Sequence, residues 1–240
     1  MAKLAFFSFV YDNKRATEHS IQTIRQYHPD AYYMLIGDGG VDHTDLAKKY
    51  NCDFLYCNDR LGYPESTYGY RKEGVLEWLK RFYIACLKSN STHIMIAEDD
   101  IVLIDRVTVE DHWELAAHDI KIGNEIPKTL MDFCEEFSGV RPKTSFYGSG
   151  GGAIFNVRTV LENFGRIYHF FETNLDNIQN NLYPTMGWLD CFTTYFFYLS
   201  GKDYTGNPNL YNIYPPSRNF DLETLKGKYQ IIHGYKNYYD

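Results

Sequence analysis

The chain has 240 residues, 44% of them hydrophobic and 23% charged, so it can bury a core without disulfides or a structural metal, and disordered, collagen-like and coiled-coil classes are excluded. Lys and Arg number 24 against 31 acids, a formal charge of −7 that offers no overall field to a polyanion and argues against nucleic acid as a partner. An anionic small ligand therefore needs a local remedy, either a bound cation or a few placed basic groups. The five cysteines are odd in number and lack a C-x-x-C pair, which reads as free thiols in a reducing compartment. The opening MAKLAFFSFVYDNK holds an apolar stretch too short to span a membrane and shows no small-residue cleavage site; no later segment reaches transmembrane length, so the expected location is cytoplasmic.

In chain order, Leu4 to Val10 is a nearly continuous apolar run, the pattern of a strand buried on both faces. A helix follows with Thr17, Ile21, Ile24 and His28 on one face, closed by Pro29. Ala31 to Ile36 is a second strand ending in GDGG, a short helix spans Asp42 to Tyr50, and a third strand lies around Asp53 to Cys57. Strand, helix, strand, helix, strand is the order of a right-handed parallel α/β sheet, whose ligands sit at the carboxyl ends of the strands. From Tyr70 to Lys88, Val75, Leu79, Phe82, Tyr83 and Cys86 form a helical stripe. Ile94 to Ala97 is a core strand that runs into Glu98, Asp99 and Asp100 before Ile101 to Ile104 resumes the apolar pattern. Arg106 to Lys143 reads as a loop-rich excursion with one helix and no sheet pattern. GSGGGAIFNV then gives a glycine loop and a strand at Ala153 to Val157; TMGWLDCFTTYFFYLSGKDY gives a helix burying Leu189, Phe192 and Phe196 and stopped by Gly201. Tyr229 to Ile232 is a last strand that delivers His233 into HGYK.

The acidic triplet carries the most information. Crowded carboxylates at the end of a buried strand raise one another's pKa unless a cation neutralises them, and hard oxygen ligands suit Mn²⁺ or Mg²⁺. A solvated acidic turn is the ordinary explanation of a charge run, but here the acids interrupt IMIA and IVLI, two apolar runs. Asp38 in GDGG is either a turn former or an acceptor for a base or ribose. Gly150, Gly151 and Gly152 let a backbone approach a ligand closely, or form a hairpin tip. His233 and Lys236, three residues apart, form a pair able to meet a metal and a phosphate. Asp190, after Trp188 and Leu189, is a favourable helix first-turn charge or a general base. DHWELAAH lacks the H-E-x-x-H spacing of a zinc site and reads as surface, and no G-x-S-x-G elbow is present.

Taken in order, Tyr11 and Asp12 after the first strand, Asp38 in GDGG, Arg71 at a helix start, the EDD triplet, GSGGGAIF, WLD and HGYK resemble the GT-A glycosyltransferases over nearly the whole chain. The resemblance implies a single α/β domain over residues 1–240 with a mostly parallel mixed sheet flanked by helices, residues 1–104 holding a nucleotide-sugar and 105–240 an acceptor. It implies Mn²⁺ or Mg²⁺ bound by Asp100 and His233, with Glu98 contributing or facing the ribose. Nucleotide-sugar contacts fall on Tyr11, Asp12, Asp38, Arg71, Glu98, Asp99 and Lys236, with Tyr11 and Asp38 at the base and Arg71 and Lys236 at the diphosphate. The sugar-facing loop is Gly150, Gly151, Gly152 and Trp188, and Asp190 matches the catalytic Asp of x-E-D. Two positions depart from the pattern: EDD has Glu98 for the first Asp of D-x-D, and WLD has Leu189 for Glu. The implied reaction moves a sugar from a nucleotide-sugar, a UDP-sugar by family frequency, to a hydroxyl of a glycan with inversion. A retaining transferase and an inactive nucleotide-sugar-binding module are the alternatives, whereas a sugar-nucleotide pyrophosphorylase lacks its basic glycine-rich loop after Val10.

Overall fold

The computed structural model describes residues 2–57, 69–118, 125–148 and 150–239. Ser149 of the glycine loop lies outside the described residues. Strand β1 (Leu4–Val10) is followed by helix α1 (Lys14–Tyr27), whose first turn is capped by the Asn13 side chain accepting from the Ala16 amide. Strand β2 (Tyr33–Asp38), helix α2 (Thr44–Lys49) and strand β3 (Asp53–Cys57) come next; all three strands are parallel and adjacent. Helix α3 (Lys72–Ser89) crosses back, so strand β4 (His93–Ile96) pairs with the other edge of β1. The order of connection thus reverses between β1 and β4, and such a switch point opens a crevice at the carboxyl ends of the strands.

Beyond β4 the sheet becomes mixed. Strand β5 (Val102–Leu103) leaves it, strand β6 (Leu115–Ala117) joins it, and helix α4 (Lys128–Ser138) packs over it. Strand β7 (Ile154–Asn156) runs antiparallel between β4 and β6, and helix α5 (Val157–Asn177) follows directly. Helix α6 (Leu189–Leu199) leads to strand β8 (Tyr204–Gly206), parallel to β6 at the far edge. The seven strands stand in the order β3-β2-β1-β4-β7-β6-β8. Strand β9 (Leu210–Ser217) and strand β10 (Ile231–Tyr235) form with β5 a second, three-stranded sheet in the order β5-β10-β9.

Side-chain alternation divides the core between the two faces of the large sheet. Ala5, Phe7, Met34, Ile36, Ile94 and Ile96 pack against α3 to α6, while Leu4, Phe6, Tyr33, Leu35 and Met95 pack against α1, α2 and the small sheet. On the first face, Phe7 stacks on Phe82 at 5.2 Å and Phe9 on Trp78 at 5.6 Å, an aromatic floor beneath the crevice. All five thiols are free. Among the described residues no helix is long and apolar enough to cross a membrane.

Two sequence expectations change. The segment after Arg106 is not sheet-free, because Leu115–Ala117 is a buried strand of the central sheet and Trp113 is buried beside it, so DHWELAAH is core at its centre and not surface. Three residues are too few to display a period of two, and LAA gives no alternation to read. The last strand also extends further than expected, so His233 lies inside β10 and not after it.

The α3 stripe includes Arg81, 3% exposed, whose guanidinium lies 3.0 Å from Asp38, 1% exposed, and donates to Glu77. Removing one partner of a buried ion pair strands the other charge in a poorly solvating environment. Arg81→Met is expected to lower unfolding free energy by about 3–5 kcal/mol in urea denaturation; a loss below about 1 kcal/mol would mean that the pair behaves as a solvated one.

Candidate active site

The acids, the histidine and the lysine singled out in the sequence meet at the β1/β4 crevice. The chain leaves β4 through a tight turn in which the Ile101 amide donates to the Glu98 carbonyl, 3.0 Å. Immediately afterwards β5 pairs antiparallel with β10, Val102 opposite Ile232 and Leu103 opposite Ile231, and the Tyr235 amide donates to the Asp100 carbonyl. This pairing carries His233, 135 positions distant from Glu98 by numbering, onto the acidic turn. His233 Nε2 lies 3.5 Å from Glu98 Oε2 and 3.6 Å from Asp100 Oδ1, and Lys236 Nζ lies 2.7 Å from Asp100 Oδ2.

Asp100 is buried, and its Oδ1 has no hydrogen-bond partner among the described residues. One ligand atom each from Glu98, Asp100 and His233 lie within 4.8 Å of one another. Two carboxylates and an imidazole make a hard donor set that fits Mn²⁺ or Mg²⁺, and a buried carboxylate oxygen without a donor is the atom such an ion satisfies.

The glycine loop closes over this cluster. The Gly152 amide donates to the Ile96 carbonyl, 2.9 Å, fixing the loop to the end of β4. A Cβ at Gly151 would stand 2.9 Å from the His233 ring and 3.1 Å from the Glu98 carboxyl carbon, and one at Gly150 would stand 2.8 Å from Asp190 Oδ1. Gly150 and Gly151 therefore let the backbone pass between the acids, in the manner of a cleft wall and not a free hairpin tip. Asp190 sits in the first turn of α6, after Trp188, which is 40% exposed.

Charge and burial set the protonation of these groups. Burial raises the Asp190 carboxyl to about 6, and Glu98 adds to the shift. Burial alone would lower the His233 pKa, but Glu98 and Asp100 outweigh it and hold the imidazole at about 9. Glu98 is lowered despite its burial, by His233 and Lys236 and by the Gly151 amide. Asp99 is raised by burial and by Asp100, against the Tyr239 hydroxyl, which donates to its Oδ1.

A cavity of about 420 Å³ extends from the acids along the strand ends. Its polar wall includes Tyr11, Asp12, Asp38, Glu98, Asp99 and Lys236, and its floor Phe9, Tyr70 and Trp78. Asp38 is thus at the cavity while its carboxylate also faces Arg81. Arg71 is not among the residues of this cavity; it lines a neighbouring cleft with Tyr70 and Lys72. Leu189, expected in the core, is half-buried and borders the cavity. Sequence reasoning missed Tyr70, Arg81 and Tyr239. Only Arg81 left a signal, a cation within an apolar helical stripe, which calls for a buried anion.

Without a cation, protonated His233 stabilises the fold. Its pKa is raised from 6.5 to about 9, so this contribution is complete below the unfolded value and is lost as pH rises through about 9. Thermal unfolding in EDTA is expected to show that decline, with His233→Gln nearly flat over the interval; an equal decline in the variant would assign it to other groups.

No family model matches the chain, and no curated protein matches it by sequence. Among solved structures it is similar to the galactosyltransferase LgtC, with 14% identity over 95% of this chain and 86% of that one and a TM-score of 0.52, both for an active-site mutant and for a complex with donor and acceptor sugar analogues. It is also similar to the glycosyltransferase GlyE of Streptococcus pneumoniae TIGR4, with 12% identity over 97% of this chain and 55% of that one and a TM-score of 0.50. At such identities the likeness is one of fold: the seven-stranded, mostly parallel sheet with helices on both faces is the GT-A glycosyltransferase fold that the order of motifs implied.

Proposed function

We propose that this chain is a glycosyltransferase of one domain that moves a sugar from a nucleotide-sugar, a UDP-sugar in the first instance, to a hydroxyl of a glycan acceptor with inversion. The observation that carries the reading is the convergence of Glu98, Asp100 and His233, with an Asp100 oxygen that no described residue hydrogen-bonds, beside a cavity at the strand switch point. The donor and acceptor sugar analogues held by LgtC, a protein of the same fold, support the same ligand class.

In this reading Glu98, Asp100 and His233 hold Mn²⁺ or Mg²⁺, which when bound supplies positive charge to the departing nucleoside diphosphate. Lys236, already at Asp100, adds an ammonium to the same side. Tyr11 and Asp38 face the nucleoside, Asp12 and Asp99 complete the polar wall, and Phe9 and Trp78 exclude water beneath it. Asp190 takes the proton of the acceptor hydroxyl as the acceptor oxygen bonds the anomeric carbon; the bond from that carbon to the diphosphate oxygen breaks, and its electron pair leaves with the diphosphate. A carboxylate with a pKa of about 6 is ionised at neutral pH yet remains a better proton acceptor than an ordinary one. Gly150 and Gly151 keep side chains out of the space between Asp190 and Glu98, where the sugar ring must pass.

Asp100→Asn, or chelation of divalent ions by EDTA, is expected to abolish donor turnover, read as released nucleotide; full turnover in either case would remove the triplet from the reaction. Asp190→Asn is expected to retain UDP binding by calorimetry while transfer falls roughly a hundredfold to ten-thousandfold. Proton NMR of the first product formed is expected to show an anomer opposite to that of the donor. Retained configuration would make the chain a retaining transferase, and donor binding without turnover under any condition would make it a binding module.

A further inference from the structure

Beside the donor cavity lies a second cleft, of about 460 Å³. Tyr70 lines both and so stands between them. Across the cleft from Lys72 and Glu73, at the start of α3, stand Asp176 at the end of α5 and Gln179 and Asn180 on a π-helical turn, Ile178–Leu182. Such turns widen the helix by one residue and recur at functional sites. Here the turn is tied to Tyr70, because the Gln179 side-chain Nε2 donates to the Tyr70 carbonyl at 2.7 Å. The Tyr70 amide in turn donates to the Gly187 carbonyl at 2.8 Å, and the next residue, Trp188, is half-exposed at the entrance of α6, two residues before Asp190.

The lining is polar but self-neutralising. Lys72 pairs with Asp176 at 2.6 Å, and among the described residues of the lining two cations, Arg71 and Lys72, stand with two acids, Glu73 and Asp176, and two amides, Gln179 and Asn180. Among the described residues a phosphate or polyanion finds no net charge there, and an apolar ligand finds little to cover. Closely spaced donors and acceptors of both kinds match the vicinal hydroxyls of a neutral saccharide, with the exposed Trp188 face available for a pyranose ring.

We infer that this cleft binds the part of a neutral oligosaccharide acceptor that lies beyond its reacting sugar, the chain running from Asn180 and Glu73 past Tyr70 and Trp188 to Asp190. The inference rests on the glycosyl-transfer reading for its direction, while the binding itself needs no turnover. It makes acceptor length, and not only the terminal sugar, a determinant of recognition.

The test uses the full chain with UDP and Mn²⁺ on an array of neutral and sulfated oligosaccharides of one to four sugars, with affinities of the retained ligands measured by calorimetry. Neutral trisaccharides are expected to bind about tenfold or more tightly than their matching terminal monosaccharides. In Glu73→Ala/Asn180→Ala, both surface positions whose truncation is checked for folding by thermal unfolding, that length preference is expected to collapse toward unity. Binding of no neutral oligosaccharide, binding of sulfated ligands alone, or an unchanged length preference in the double variant would overturn the proposal. Oligosaccharide binding without donor turnover would sink the transferase reading and leave the cleft standing, whereas turnover with equal affinity for one and three sugars would do the opposite.

Discussion

Carboxylates brought together at the rim of a sheet repel one another and are poorly solvated there, so the segments that carry them can adopt this arrangement only if positive charge is delivered to the same place. In this chain Glu98, Asp99, Asp100 and Asp190 gather around the end of β4, and His233 and Lys236 arrive on one short stretch to face them. The ordering of the rim follows. The β5–β10 pairing holds the histidine, the Tyr235 amide locks the acidic turn, and Tyr239 reaches back to Asp99. The protein balances this negative charge with an imidazolium and an ammonium of its own. The site is therefore shaped before a ligand arrives, which lowers the ordering cost of binding.

The rest of the molecule serves as a platform for that rim. Strands buried on both faces make a stiff sheet, and the aromatic floor of Phe9 and Trp78 fills the space under the crevice. A charge pair sunk into this platform, Arg81 with Asp38, joins α3 to the end of β2 at the border of the cavity. The same helix's opening residues wall the second cleft, so core packing on one face is continuous with both clefts.

Much of this was legible in the residues themselves. Long apolar runs announced β1, β2 and β4, the α3 stripe had its period, and acids interrupting two apolar runs pointed to the crevice. What escaped reading was short or depended on distant partners. β6 and β8 have three residues each, too few to carry a period, and β9 owes its place to pairing with β10, which lies beyond a long intervening loop. The 21 residues of α5 follow β7 without a loop, so a lone Asn156, whose side chain accepts from the Thr159 amide, is the whole of the boundary. Asp38 looked like a turn former or a ligand contact, and the local sequence held no hint of its ion pair with a residue 43 positions away.

Gly69 has a φ of +92°, and a Cβ there would stand 2.3 Å from the Gly187 carbonyl carbon, so two backbones touch with nothing between them. On one side of that seam begins α3, and on the other α6. Any drift of one wall must drag the other, since a bare main-chain contact has no side chain to absorb slack. A displacement at the start of α3 is thus passed to the start of α6 through a joint made of two glycines.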